Sequence, residues 1–255
     1  MKGLKGKVAV VTGSGSGIGR AIAERLASEG CTVGVFDLNA DSASQTCNII
    51  KETNGNAYAH TVDISNLDMI KKAVEELERQ AGPIDILVNN AGWDKASSFL
   101  SSTPELWKKI IDINLYGPLN MHYAVLPGMV ERKRGRVVSI ASDAGRVGSS
   151  GESVYSACKG GVIAFTKTVA RELARSNIQL NTVCPGPTDT PLLRSFAEEG
   201  ERGTKLIEGL TRAIPMKRLG QPADYPGVVA FLASDDAAYI TGQTISVSGG
   251  LTMHG

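Results

Sequence analysis

Tyr155 and Lys159 stand four residues apart, a spacing that puts their side chains one above the other on a helix face. A phenol beside an ammonium can exchange a proton with the oxygen of an alcohol or a ketone, as general base in one direction and general acid in the other. A free phenol has a pKa near 10, so work close to neutrality needs it lowered by about 3 pH units, or roughly 4 kcal/mol. Direct electrostatics from the Lys159 ammonium would favour the phenolate in that sense. Ser142, thirteen residues before the tyrosine and just beyond an apolar run, adds a hydroxyl able to hold the same oxygen. The trio suits hydride transfer at a carbinol carbon. The same spacing also suits a tyrosine buried for stability with a lysine reaching out to solvent.

Hydride chemistry needs a cofactor, and a second cluster bears on one. Directly after the first apolar run comes Thr12-Gly13-Ser14-Gly15-Ser16-Gly17-Ile18-Gly19. Neither GxGxxG nor GxxxxGK[ST] fits this string, which removes the P-loop. Gly13, Gly17 and Gly19 let the backbone turn sharply and approach a pyrophosphate, with Ser16 and Ile18 carried in the same turn at the start of a helix. Asp37, eighteen residues after Gly19, closes the second apolar run, where a carboxylate accepts hydrogen bonds from ribose hydroxyls and repels a 2′-phosphate. Leu38 follows it, with no adjacent cation to neutralise that phosphate. The expected cofactor is NAD. A tight connection and a solvated carboxylate would account for the same residues without one.

These groups must be held by elements that the hydrophobic pattern reveals. Residues 7–11, 32–37, 84–88, 136–140, 178–184 and 243–247 are apolar at most positions, and residues 18–29, 66–80, 104–115 and 152–176 carry helical periodicity. Continuous apolar strands separated by helices predict a parallel sheet covered on both faces, because parallel strands need crossover connections. The expected fold is α/β, one doubly wound domain over residues 1–255, with ligands at the carboxyl ends of the strands. A polar stretch over about residues 190–220 reads as a small helical lid over the cleft or as an ordinary surface excursion.

The 255 residues carry a net charge of +1, with 42% hydrophobic and 21% charged residues, which leaves no field for a polyanion and argues against nucleic-acid binding. Cys31, Cys47, Cys158 and Cys184 form no CxxC pair, and His60, His122 and His254 form no HExxH, so no metal site is expected. The longest apolar run, residues 228–233, is far short of the roughly 20 needed to cross a bilayer. With no apolar leader at the N-terminus, a cytoplasmic protein is expected.

Taken together, residues 12–19, Asp63, Asn89-Asn90-Ala91-Gly92, Asn114, Ser142, Tyr155-x-x-x-Lys159 and Pro185-Gly186-x-x-x-Thr190 resemble, in order and spacing, the short-chain dehydrogenase/reductase family over essentially the whole chain. The resemblance implies a Rossmann fold and an enzyme acting on CH–OH groups. It implies that Asp63 and Ile64 contact adenine, and that Asn90, Ala91 and Gly92 line the cofactor and stabilise the sheet. Asn114 would pass protons through a bound water to Lys159, completing a relay through ribose to Tyr155. Pro185, Gly186, the Thr188 backbone and the Thr190 hydroxyl would fix the nicotinamide carboxamide. By resemblance alone, residues 152–176 and 243–250 would build homotetramer interfaces.

Residues 89–94, 142–155, 184–190 and 246–253 further resemble bacterial 2-hydroxycyclohexanecarboxyl-CoA dehydrogenases of alicyclic and aromatic acid degradation. That implies oxidation of 2-hydroxycyclohexane-1-carboxyl-CoA to the 2-oxo ester. Trp93, Val147 and Leu192 are candidate apolar walls for a ring, and Arg146, Arg194 and Lys205 are candidate cations for a CoA tail. The alternatives are a 3-oxoacyl thioester on acyl carrier protein, which a preference for NAD disfavours, another secondary alcohol, or an inactive regulatory member of the family. A hydrolase is disfavoured because the chain holds no GxSxG.

Overall fold

The computed structural model describes residues 1–197 and 201–253. Part of the expected 190–220 lid lies outside these, as does His254. The elements run β1 (Val8–Thr12), α1 (Gly17–Ser28), β2 (Thr32–Asp37), α2 (Ala40–Glu52), β3 (Asn56–Thr61), α3 (Leu67–Ala81) and β4 (Ile86–Asn89). There follow α4 (Pro104–Ile111), a π-helical turn over Asp112–Tyr116, α5 (Gly117–Glu131), β5 (Gly135–Ile140), α6 (Ala144–Val147), α7 (Ser153–Leu173) and β6 (Ile178–Pro185). The chain continues through α8 (Pro191–Ala197), α9 (Glu201–Ala213) and α10 (Pro226–Ala233) to β7 (Thr244–Val247).

The seven strands form one parallel sheet in the order β3-β2-β1-β4-β5-β6-β7. Alternate side chains feed two cores. On one face Ala9, Val11, Ile86, Val88 and Val138 meet Ile22 and Leu26 of α1, Ile50 of α2, and Val229 and Leu232 of α10. On the other, Val10, Leu87, Val137 and Leu180 meet Ile70, Val74 and Leu77 of α3 and Met121 and Val125 of α5. Each such buried aliphatic side chain contributes about 1.5–3 kcal/mol of transfer free energy. The strand order reverses between β1 and β4, so their carboxyl ends diverge there and leave a crevice.

Local chemistry sets the helix starts. Asn39 caps α2 through Ser42 N–H at 2.9 Å, and Asn66 caps α3 through the N–H groups of Asp68 and Met69 at 3.1 Å each. Ser16 stands at the N-cap of α1 yet its side chain makes no capping hydrogen bond. β3 has no continuous apolar run because it is the sheet's edge, and only Ala57 and His60 of its six residues are buried. The predicted helix over 104–115 ends as an α-helix at Ile111 and passes through the π turn, which carries Asn114. Among the described residues no helix is long and apolar enough to cross a membrane.

Gly19, expected on the cofactor, lies behind the turn instead. A Cβ there would fall on Gly13 O and Asn90 Nδ2. Replacing Gly19 by Ala therefore requires backbone movement and is expected to cost about 1–3 kcal/mol, read as a lowered Tm and a lowered denaturant midpoint.

Candidate active site

The carboxyl ends of β1, β2, β4, β5 and β6 open onto a cleft of about 1270 Å³. That exceeds the roughly 300–1,000 Å³ of a single small-molecule site, leaving room for a cofactor and a substrate side by side. At one end, Gly13 adopts φ +62 and approaches Ala91 so closely that a Cβ would lie 2.7 Å from Ala91 Cα. Asn90 ties the two strand ends together. Its side-chain amide donates to Thr12 O at 3.0 Å and Gly13 O at 3.1 Å, while Thr12 Oγ1 accepts from Asn90 N–H and Ala91 N–H at 3.0 Å each. Ser16, Gly17 and Ile18 face the cleft from the start of α1.

Asp37 also faces it. Its carboxylate accepts Gly15 N–H at 2.7 Å and Asn39 N–H at 2.9 Å, one on each oxygen, which leaves lone pairs on both for a diol. Leu38 beside it is 70% exposed and uncharged. Asp63 and Ile64 continue the same wall, Asp63 being held by the Ser65 N–H at 2.9 Å and hydroxyl at 2.7 Å. An uncapped serine, a glycine turn without side chains and a carboxylate with free lone pairs fit a pyrophosphate and an unphosphorylated ribose.

At the other end Ser142, Tyr155 and Lys159 share the cleft wall with Ala91, Gly92, Pro185, Gly186, Thr188 and Thr190. Lys159 is only 3% exposed, donates to Ile140 O at 3.1 Å, and sits 5.5 Å from the Tyr155 ring centre. Asn114, fully buried, is not on the wall but behind it. Its Nδ2 donates to Trp93 O at 2.6 Å and Ile110 O at 2.9 Å, and its Oδ1 accepts Trp93 N–H at 3.3 Å. The Ile110 bond occupies a carbonyl within the irregular α4 to α5 junction, so the π turn and the asparagine support one another. Thr188 donates to Gly186 O at 2.8 Å and is bonded to the buried Tyr225 hydroxyl, while Thr190 Oγ1 accepts Leu193 N–H at 3.3 Å at the start of α8.

The protein's own groups act against the depression expected of Tyr155. Burial first, then the Glu152 and Asp94 carboxylates, push Tyr155 above its ordinary value, against a Ser142 hydrogen bond that acts the other way. Burial also lowers Lys159 to about 8, so the ammonium meant to help is itself half discharged near that pH.

The cation candidates divide differently from the sequence reading. Trp93, Val147 and Leu192 line the cleft, whereas Arg146 and Arg194 do not. Arg146 donates to Ser246 Oγ at 2.8 Å, and Ser246 in turn bonds Asp143, which draws the guanidinium towards β7. Arg194 forms a two-bond ion pair with Asp189 at 2.7 and 3.0 Å. Lys205 is exposed on α9 and is not on the wall either. Among the described residues the cations on the wall besides Lys159 are Lys108, paired with Asp112 at 2.5 Å, and Lys109, whose ammonium lies 3.9 Å from the Trp93 ring centre. Sequence reading missed them because their helical position is that of an ordinary solvated face. It also missed Asp94 and Glu152, which are separated by too much chain to share any spacing.

A lysine whose pKa is lower in the folded state than in the unfolded chain costs stability below pH 8, and that cost is recovered as pH rises from about 8 to 10.5. The shift corresponds to about 3 kcal/mol. Lys159→Met is therefore expected to raise Tm at pH 7 while abolishing turnover, and its advantage over the wild type should shrink between pH 8 and 10.5. Thermal unfolding of both proteins across that range checks this.

A family model described as Enoyl-(Acyl carrier protein) reductase matches residues 13–252. The 3-oxoacyl-[acyl-carrier-protein] reductase of Thermotoga maritima is 36% identical over 250 residues, covering 98% of this chain and 99% of the relative. The protein of that name from Vibrio cholerae is 38% identical with the same coverage. Among solved structures, a substituted actinorhodin polyketide ketoreductase with NADPH superposes with a TM-score of 0.94 at 35% identity, covering 100% of both chains. A 3-oxoacyl-[acyl-carrier protein] reductase with bound NAD from Brucella melitensis gives 0.89 at 34%, covering 98% of this chain and 92% of its own. These relatives do not bear the name 2-hydroxycyclohexanecarboxyl-CoA dehydrogenase, so they lend no weight to the finer resemblance. The sheet order, the cleft at its switch point and these matches make the chain a member of the short-chain dehydrogenase/reductase family, an oxidoreductase acting on CH–OH groups.

Proposed function

We propose that this protein interconverts a 3-oxoacyl thioester and the corresponding 3-hydroxyacyl thioester with NAD(H). The observation that carries the reading is the joint placement of Ser142, Tyr155 and Lys159 on one cleft whose far end holds Asp37. The relatives' names favour a thioester on acyl carrier protein. The apolar walls at Trp93, Val147 and Leu192 favour, as a second reading, the cyclic 2-oxocyclohexane-1-carboxyl-CoA. Both substrates carry a ketone β to a thioester. The helices α8 and α9, which bring Leu192, Leu193 and Leu210 to the cleft, act as its lid. A cytoplasmic homotetramer, with α7 and β7 at its interfaces, completes the proposal.

In the reducing direction Tyr155 donates its proton to the carbonyl oxygen while the Ser142 hydroxyl holds that oxygen. Burial suits the tyrosine to this step, because it keeps the phenol protonated at neutral pH. When bound, the nicotinamide supplies or accepts the hydride and, oxidised, brings the positive charge that favours the phenolate. Lys159, held by Ile140 O, returns a proton towards Tyr155, and its own lowered pKa lets it do so near neutrality. Asn114 positions the Trp93 segment beside it. Asp37 excludes a 2′-phosphate by charge, which makes NAD the cofactor.

Tyr155→Phe is expected to lower kcat by about 10²–10⁴ while NADH binding persists; activity within a few-fold of wild type contradicts the mechanism. Reduction should hold steady through neutral pH and fall at alkaline pH as the phenol ionises, with oxidation rising over the same range. Asp37→Ala should raise kcat/KM for NADPH relative to NADH, and equal use of both by the wild type contradicts the NAD assignment. A panel of 3-oxoacyl thioesters, cyclic 2-hydroxyacyl-CoA esters and simple secondary alcohols, followed by NADH absorbance, tests the substrate. Turnover of the alcohols alone contradicts it.

A further inference from the structure

Tyr225, the residue before α10, is 1% exposed and packs in the core that α1 and α10 form on one face of the sheet. Phenylalanine would fill that space, so the hydroxyl needs its own account, because a buried phenol O–H without a partner is costly. Its partner is Thr188 Oγ1. A threonine hydroxyl has one proton, and Thr188 gives it to Gly186 O at 2.8 Å, so the phenol is the donor in the Tyr225–Thr188 bond. The bonds therefore run in one direction, from Tyr225 through Thr188 to the Gly186 carbonyl, each polarising the next. Gly220 makes room for them, since a Cβ there would lie 2.5 Å from Tyr225 Oη and 3.1 Å from Thr188 Oγ1.

Thr188 is also held through its backbone. Gly220 N–H donates to Pro187 O and Asp189 N–H to Gly220 O, both at 2.9 Å, in a parallel bridge centred on Thr188. In such a bridge the flanking residues carry the bonds, so the central residue's own N–H and C=O turn to the other side. There the Thr188 carbonyl accepts the Thr190 hydroxyl at 3.3 Å, and among the described residues the Thr188 N–H meets no acceptor. Thr188 is 6% exposed and stands on the cleft wall with Pro185, Gly186, Ser142 and Tyr155. A backbone donor this buried is normally paired, so its place on the wall suits a ligand acceptor. We propose that Tyr225 is a positioning residue for the nicotinamide end of the cofactor: its hydroxyl fixes Thr188, whose N–H then meets the carboxamide oxygen in a set direction. This rests on the NAD(H) reading above and deepens it, by placing behind the cleft wall a group that favours the redox-active half of the dinucleotide.

The test titrates two ligands by calorimetry without substrate: NADH, and ADP-ribose, which keeps the adenosine and pyrophosphate and lacks the nicotinamide. In Tyr225→Phe the Kd for NADH is expected to rise about 5-fold, the worth of one hydrogen bond, while that for ADP-ribose stays within about 2-fold of wild type. A purely structural hydroxyl would weaken both ligands alike. Thr188→Val should reproduce the selective loss and Thr188→Ser should keep NADH binding at the wild-type level. Tyr225→Phe/Thr188→Val should lose no more than either single variant, since both act through one bond. The threonine variants carry the test alone if Tyr225→Phe does not fold. Unchanged NADH binding in Tyr225→Phe, or equal weakening of NADH and ADP-ribose, overturns the proposal, and so does equal NADH binding by Thr188→Val and Thr188→Ser. Wild-type protein that binds NADH but turns over no 3-oxoacyl thioester overturns the substrate reading alone and leaves the role of Tyr225 standing. Wild-type protein that binds neither ligand overturns the cofactor reading and this inference together.

Discussion

A primary ammonium with 3% of its surface exposed is costly to bury, and the cleft floor is organised around that cost. Among the described residues Lys159 has one direct acceptor, the Ile140 carbonyl at the end of β5. The neighbouring elements give way to it. A Cβ on Gly145 would lie 2.8 Å from Lys159 Cβ, and one on Gly92 would lie 3.4 Å from its Nζ and 2.9 Å from Asn114 Oδ1. Two tight turns and the π turn thus all converge on one cation. The same burial that depresses the lysine elevates the tyrosine, so the two members of the pair, close in proton affinity when solvated, are driven apart. That divergence keeps the proton on the phenol and makes transfer from the ammonium to a phenolate run downhill.

Much of the architecture was legible in the sequence because a parallel sheet covered on both faces makes its strands apolar at successive positions. The runs ending at Asp37, Ile140 and Cys184 marked where side chains emerge at the cleft, and residues 12–19 lay at the strand-to-helix junction that their glycines imply. β3 was not marked by an apolar run, for the physical reason that an edge strand with four of its six residues exposed does not need one. The π turn at Asn114 was equally hidden, since a hydrophobic stripe does not distinguish four residues per hydrogen-bonded turn from five.

The site was legible where function resides in residue type and illegible where it resides in partnership. Tyr155, Lys159 and Ser142 were identifiable by type and spacing, but the proton affinity of Tyr155 depends on burial and then on Glu152 and Asp94, whose proximity only the fold creates. Arg146 and Arg194 lie on the expected loops yet are taken by Ser246 and Asp189, whereas Lys109 is on the cleft by virtue of α4 packing and not by any motif. Gly19 belongs to the motif and serves it from behind, as the space that Asn90 needs in order to tie β1 to β4. Function is bought here with stability, in the form of a buried cation and a carboxyl pair placed where apolar packing would hold the fold better.

The buried lysine is therefore the most direct point of attack. An NMR titration of the Lys159 Cε and Nζ signals in the cofactor-free protein, assigned by their loss in a Lys159 variant, measures the constraint itself. A midpoint at about 8 is expected. A midpoint near 10.4, the value of a solvated lysine, would show that the cleft does not impose the burial from which the proton chemistry has been derived.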